Sequence, residues 1–266
     1  MNRDGSLVHI YIIRIMNDVR GPTTRHQDAV DLIAGWLVAG RFAADAVLPT
    51  EDEIGRELRV SRTVVREVMR TLVAKGMVSV RRHHGTRVLP VDSWSLFDPQ
   101  VVAWRLSTGL SRAFVEDLIR FRLGIEPYAA GLAAANPDFP DEVLEDACTR
   151  MAAGVEGKGS YLEADLDFHK TIILGSNNQF LRQLIPLMSN TLRSSFRLSV
   201  TSIDVARESL PLHRAVADAI IARKPDTARA TLTKLIESAF EDILRVLPKI
   251  ESEEMHEERD LTLAPN

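Results

Sequence analysis

Apolar residues recur at helical spacing along most of the chain. The first stripe, Ala29, Ile33, Trp36 and Leu37, predicts a helix ended by Gly40. Phe42 through Leu48 reads as a short extended connection closed by Pro49. Thr50, with Glu53 three residues on, forms a capping box and starts a second helix with Ile54 and Leu58 inside. Val60 is a turn residue. Ser61 caps a third helix whose inner positions are Val64, Val65, Val68, Met69 and Leu72, and Gly76 ends it. The period then changes. Met77–Arg81 and Thr86–Leu89 read as two short strands joined by Arg82, His83, His84 and Gly85, the glycine supplying the positive φ of a tight turn.

Three helices followed by a hairpin make a winged helix-turn-helix. After it, Ser93-Trp94-Ser95-Leu96-Phe97-Asp98-Pro99 carries aromatic residues, which suggests a segment packed down on a domain rather than a free tether. Val101, Val102, Trp104 and Arg105 read as the opening of a second, helical domain. There the stripe Phe114, Leu118, Phe121 and Ile125 is interrupted or kinked at Pro127 and resumes over Tyr128–Ala135. Helices are expected over Asp141–Glu156, Tyr161–Leu174, Gln179–Leu198 and Ala206–Arg223, with a last one from Pro225 to Leu247 that Pro248 stops. Nothing in this half reads as a strand.

The expected architecture is mainly α: an N-terminal winged helix-turn-helix and a C-terminal all-helical antiparallel bundle. The boundaries are an extension over residues 1–22, the winged domain over 23–90, a linker over 91–105, the helical domain over 106–250 and an acidic tail over 251–266. No run reaches the length of a membrane span, and Leu7–Met16, broken by His9 and Arg14, does not read as a signal peptide. Cys148 is the only cysteine, so no intramolecular disulfide forms, which fits a cytoplasmic protein.

Charge changes the picture at one place. The formal net charge of the 266 residues is −4, which on its face argues against nucleic acid. Yet Arg56, Arg59, Arg62, Arg66, Arg70, Lys75, Arg81, Arg82 and Arg87 face only Glu57 and Glu67 in the same stretch. Such a segment attracts phosphate, or is simply a solvated charged face. In a winged helix-turn-helix the third helix enters the major groove, where Ser61, Arg62, Thr63 and Arg66 lie on its first turn and outer face. An arginine there grips guanine O6 and N7, or a phosphate. His83, His84 and Gly85 are placed to touch the minor groove or adjacent backbone.

In the helical half, Asp165 and His169 are four apart and share one helix face, flanked by Leu162, Leu166, Ile172 and Ile173. With His213 on a later helix, one carboxylate and two imidazoles are enough to hold a divalent ion and leave positions open. A structural hydrogen bond is the other reading of the pair. Arg122 has a fork that matches a carboxylate, and it also has Glu126 one turn away as a salt-bridge partner.

The segment from Leu48 to Val88 resembles the DNA-binding domain of the GntR family of bacterial regulators. The marks are Leu48-Pro49, Glu53, Leu58, Ser61-Arg62-Thr63-Val64-Val65-Arg66, Leu72, Gly76 and Gly85. The resemblance implies that Arg62, Thr63 and Arg66 read the operator; Asp52 stands where some members carry a basic residue, which removes a phosphate contact. The second half resembles the helical FCD effector domain through Phe121–Pro127, Asp165–His169, Asn177-Asn178 and His213–Ile220. It implies a divalent metal, zinc or similar, held by Asp165, His169 and His213, with Leu235 in place of a fourth histidine. It also implies a small carboxylate effector clamped by Arg122, with Asn190 and Arg193 as further pocket residues. Ser93–Pro99 and Val102-Ala103-Trp104 resemble the sugar-acid, galactonate-type branch, which implies a polyhydroxylated acid. The expected function is a homodimeric repressor released from palindromic operator DNA by its effector. A metal-dependent enzyme using the Asp/His cluster, and an effector-independent dimeric DNA-binding protein, are the two rivals.

Overall fold

The computed structural model describes residues 25–81, 84–107, 112–199 and 203–262. The expected extension over 1–22, with Arg82 and His83 of the wing, lies outside them. Chain contacts divide the molecule into two compact units that part between residues 109 and 110.

The first unit begins with α1 (Arg25–Val38), α2 (Glu51–Leu58) and α3 (Arg62–Ala74). Local chemistry sets their ends. The Thr50 hydroxyl accepts from the Glu53 N–H at 3.3 Å while the Glu53 carboxylate accepts from the Thr50 N–H at 2.8 Å, closing the capping box in both directions. Arg59, left-handed at φ 55°, breaks α2 so that the chain can turn, and Ser61 caps α3 through the Val64 N–H. Strands β1 (Val78–Arg81) and β2 (Gly85–Val88) pair antiparallel, with Val78 opposite Val88 and Arg81 opposite Gly85. Gly85 takes the positive φ expected of it, +77°. The connection before α2 joins this hairpin: Val47 bridges Arg87, and the Leu48 N–H donates to the Thr86 carbonyl at 2.8 Å.

Ile33, Ile54, Val65, Leu72 and Met77 are buried in one core, and Trp94, Val101 and Trp104 share it. Residues from Val101 onward therefore do not open the helical domain, as their sequence position suggested. They form α4 (Pro99–Ser107), which belongs to the first unit. The reason is a set of paired polar groups around an aromatic strap. Lys75 Nζ lies 2.6 Å from Asp98, Trp94 Nε1 donates to the Leu89 carbonyl, and Trp104 Nε1 donates to buried Asp31 at 2.9 Å. Gly76, at φ +69°, lets the strap pass, since a Cβ there would collide with the Ser93 carbonyl.

The second unit holds α5 (Arg112–Ala135), α6 (Asp141–Val155), α7 (Tyr161–Gly175), α8 (Gln179–Gln183), α9 (Ile185–Ser199), α10 (Ile203–Ile221) and α11 (Pro225–Thr262). Its described residues contain no strand. Helix α5 runs unbroken through Pro127, so proline does not interrupt it; buried Ala129, Ala130, Ala133 and Ala134 keep that face packed where one backbone bond is lost. Expected as one helix, Gln179–Leu198 is two, parted at Leu184 just before Pro186, which has no N–H to continue the ladder. Pro248 does not stop the last helix, which continues through it to Thr262 on a run rich in helix-favouring glutamate. Helix α5 packs on α7, α10 and α11, and α6 packs on α7 and α10. Gly154 admits the close approach of the Tyr161 backbone, which fixes where α7 begins. Cys148 is half-buried on α6, and burial pushes its thiol up to about 11.

Candidate functional site

Two sets of charged groups stand apart from ordinary surface pairs. On the first unit, Ser61, Arg62, Thr63 and Arg66 are all exposed at the start of α3, while Val65, Val68, Met69 and Leu72 are buried on its other side. Capping occupies one lone pair of Ser61. The Arg62 side chain is 66% exposed and reaches back to α2, its Nε donating to Glu51 at 3.1 Å and its Nη1 lying 3.6 Å from Asp52. Those carboxylates raise its pKa and keep it charged. Arg66 is exposed on the next turn. His84 and Gly85 are exposed in the hairpin turn; His83 lies outside the described residues.

The second set is buried. Asp165, His169 and His213 each present a ligand atom within 4.8 Å of the others, and they are the one such group of three among the described residues. Helix α7 brings Asp165 and His169 to one face, and α10 supplies His213. Both rings aim Nε2 at the same oxygen: Asp165 Oδ1 lies 2.9 Å from His213 Nε2 and 3.8 Å from His169 Nε2. Both rings are also held from behind. His213 Nδ1 lies 2.9 Å from the Ser209 carbonyl, and His169 Nδ1 lies 2.7 Å from Glu126 Oε2. Glu126 Oε1 in turn accepts from Arg122 Nε at 2.5 Å, with both side chains almost wholly buried on α5.

Burial alone would raise the Glu126 pKa, but Arg122 and His169 outweigh it and bring it down to about 2. Asp165 is likewise lowered: desolvation opposes ionisation, and the His213 hydrogen bond with the nearby His169 and Arg122 charges overcomes it. Arg122, expected as a carboxylate clamp, thus has its Nε engaged by Glu126, the salt bridge that the spacing also allowed. Arg193 places both Nη groups on Glu163, at 2.5 and 3.2 Å, and Asn190 is half-buried on the same helix. No bond joins Arg193 to the Asp165 cluster. Leu235 is buried and offers no ligand atom.

Sequence reasoning named Glu126 only as the partner of Arg122 and passed over Tyr161 and Ser209, whose hydroxyls lie 2.6 Å apart. The missed signal was spacing. Tyr161 stands four before Asp165, and Ser209 four before His213.

Donor chemistry and geometry suit a divalent cation. Two imidazoles with anchored Nδ1 atoms and one ionised carboxylate converge on one point.

Comparison with known proteins decides the family. The model of bacterial regulatory proteins of the gntR family matches residues 25–88, and that of the FCD domain matches residues 117–238. An Escherichia coli HTH-type transcriptional regulator, YieP, itself uncharacterized, is 32% identical over 77% of this chain and 90% of its own length. The chain belongs to the GntR family of bacterial regulators. The E. coli galactonate operon transcriptional repressor is 28% identical over 76% of this chain and 90% of its own length. The solved structure of Lar, described as controlling expression of the Listeria monocytogenes agr system, is 16% identical. It covers 85% of this chain and all of that one, with a TM-score of 0.63, which shows a shared fold. As a GntR regulator with an FCD domain, the protein is a DNA-binding transcription regulator and not an enzyme. No described helix is long and apolar enough to cross a membrane.

Proposed function

We propose that this GntR regulator is a repressor, released from its operator when a small sugar-acid carboxylate binds its helical unit together with a divalent cation. The observation that carries the reading is the convergence of the His169 and His213 Nε2 atoms on Asp165, with each Nδ1 held from behind. With a cation in place of the His213–Asp165 hydrogen bond, a histidine so held would keep its proton on Nδ1 and its lone pair on Nε2, the form a metal requires.

Charge then selects the effector. Arg122 and Glu126 cancel, leaving the negative charge of Asp165 in a buried site that repels an anion. A divalent cation, zinc or similar, supplies the positive charge and open positions that a carboxylate takes. The Nη end of Arg122 is then free to fork onto the effector, with Asn190 and Arg193 as outer contacts. The galactonate operon repressor among the relatives supports a sugar acid as the class.

On the DNA side, Arg62, Thr63 and Arg66 read base edges in the major groove, Ser61 holds the helix start, and His83, His84 and Gly85 of the wing contact backbone or minor groove. Arg62 exchanges Glu51 and Asp52 for DNA on binding. A homodimer in the cytoplasm would present two such heads to a palindromic operator.

The test is thermal unfolding of the purified chain with zinc, with galactonate or gluconate, and with both. It is paired with release from a duplex selected out of a random-sequence pool. The acid should stabilise only in the presence of zinc, and should weaken duplex binding roughly 5- to 150-fold, the usual range of such coupling. Absence of stabilisation by any acid, with or without metal, overturns the reading.

A further inference from the structure

We propose that Glu126 is a positioning residue for the cation. From behind His169 it fixes which nitrogen faces Asp165, and so sets metal affinity without touching the metal. The inference rests on the metal reading above and deepens it.

A neutral imidazole has one N–H and one lone pair. If Nε2 is to serve a cation, the proton sits on Nδ1, and in a buried site that proton needs an acceptor. His213 finds a backbone carbonyl, that of Ser209. His169 finds no carbonyl. The oxygen nearest its Nδ1 is Glu126 Oε2, at 2.7 Å. That oxygen is fully buried, and no other group of the described residues hydrogen-bonds to it. Oε2 therefore has no competing partner and is reserved for the ring.

Arg122 makes the arrangement tolerable. A lone carboxylate at this depth would be costly, and the guanidinium on Oε1 offsets that cost and holds the carboxylate in place. Three residues thus form a chain, Arg122 to Glu126 to His169, in which only the last reaches the ion. Partners of this kind typically change metal affinity by roughly 10- to 100-fold when removed.

The experiment is competition for zinc between the full chain and a chromogenic chelator, with the visible spectrum of the cobalt-loaded protein as a second readout. Glu126→Gln keeps an acceptor oxygen but loses the charge. The double variant Arg122→Met with Glu126→Leu removes both charges together and leaves no buried ion unpaired. Zinc affinity should fall about 10-fold in E126Q and up to about 100-fold in the double variant, with an altered cobalt spectrum in both. Glu142→Gln, an exposed carboxylate on α6, should match the wild type. A folded double variant with affinity within about twofold of wild type and an unchanged spectrum would mean that the pair merely holds the helices together, and would overturn the proposal. Wild-type protein that takes no zinc would overturn the metal reading, and this inference with it.

Discussion

Arginine serves opposite ends in the two units. On α3 of the first unit, Arg62 stands in solvent, loosely bridged to two carboxylates of the neighbouring helix. On α5 of the second, Arg122 is 3% exposed and bound to a carboxylate as buried as itself. An exposed ion pair is worth little, on the order of 0–1 kcal/mol, and is easily traded; a buried pair resists loss of either member by roughly 3–5 kcal/mol. The difference suits the tasks. On the proposed function, a surface that meets many DNA sequences would keep its contacts reversible, whereas a site for one small ligand would keep its shape.

The sharpest way to break this comparison is at the cores beneath the two sites. Leu72→Ala removes a fully buried side chain on the inner face of α3 and should cost about 2–5 kcal/mol in chemical denaturation. A loss below about 1 kcal/mol would show that α3 is not anchored as described. Next comes His169→Ala, which should weaken zinc binding more than about 100-fold, or roughly 3 kcal/mol, by chelator competition. A variant that still competed like the wild type would place the metal elsewhere. Arg62→Ala should cost about 1–3 kcal/mol for a selected duplex and relax preference at one base position. Equal loss on all sequences would reassign Arg62 to phosphate. The smallest effect belongs to Arg70→Ala, which breaks an exposed pair with Glu67 and should change stability by less than about 1 kcal/mol.

Acid separates the units as well. The folded pKa of Glu126 lies below its ordinary value of 4.5, so the stability it contributes is complete above that value and disappears as pH falls toward about 2. Denaturation followed between those limits should show the second unit losing stability in wild type, with a flatter profile in Glu126→Gln. Identical profiles would mean that the buried pair does not govern acid tolerance.

How far the sequence announced these features depended on whether their causes were local. Thr50 with Glu53, Ser61 and Gly85 act within a few residues, and the structure places each where its spacing indicated. The Val101–Arg105 stretch was assigned to the wrong unit because its partners are distant: Trp104 is held by Asp31, and Asp98 just before it by Lys75, neither of which any periodicity reveals. The Asp165, His169 and His213 group was legible through helical spacing and family resemblance together. Glu126 was visible as a partner for Arg122, but its approach to His169 joins two helices far apart in sequence. Prolines misled at 127 and 248, where a helix tolerates one missing bond because packing or favourable neighbours offset it, whereas the helix expected to run across Pro186 parts at Leu184.

The solitary thiol of Cys148 has a practical corollary. Burial raises its pKa to about 11, which keeps it protonated at neutral pH, and half-buried on α6 it should react slowly with maleimides. A cysteine placed at an exposed position such as Ala74, at the opposite end of α3 from Arg62, would therefore be labelled selectively in the native chain. A fluorophore there would report the arrival and departure of DNA without first stripping the protein of its own sulfhydryl.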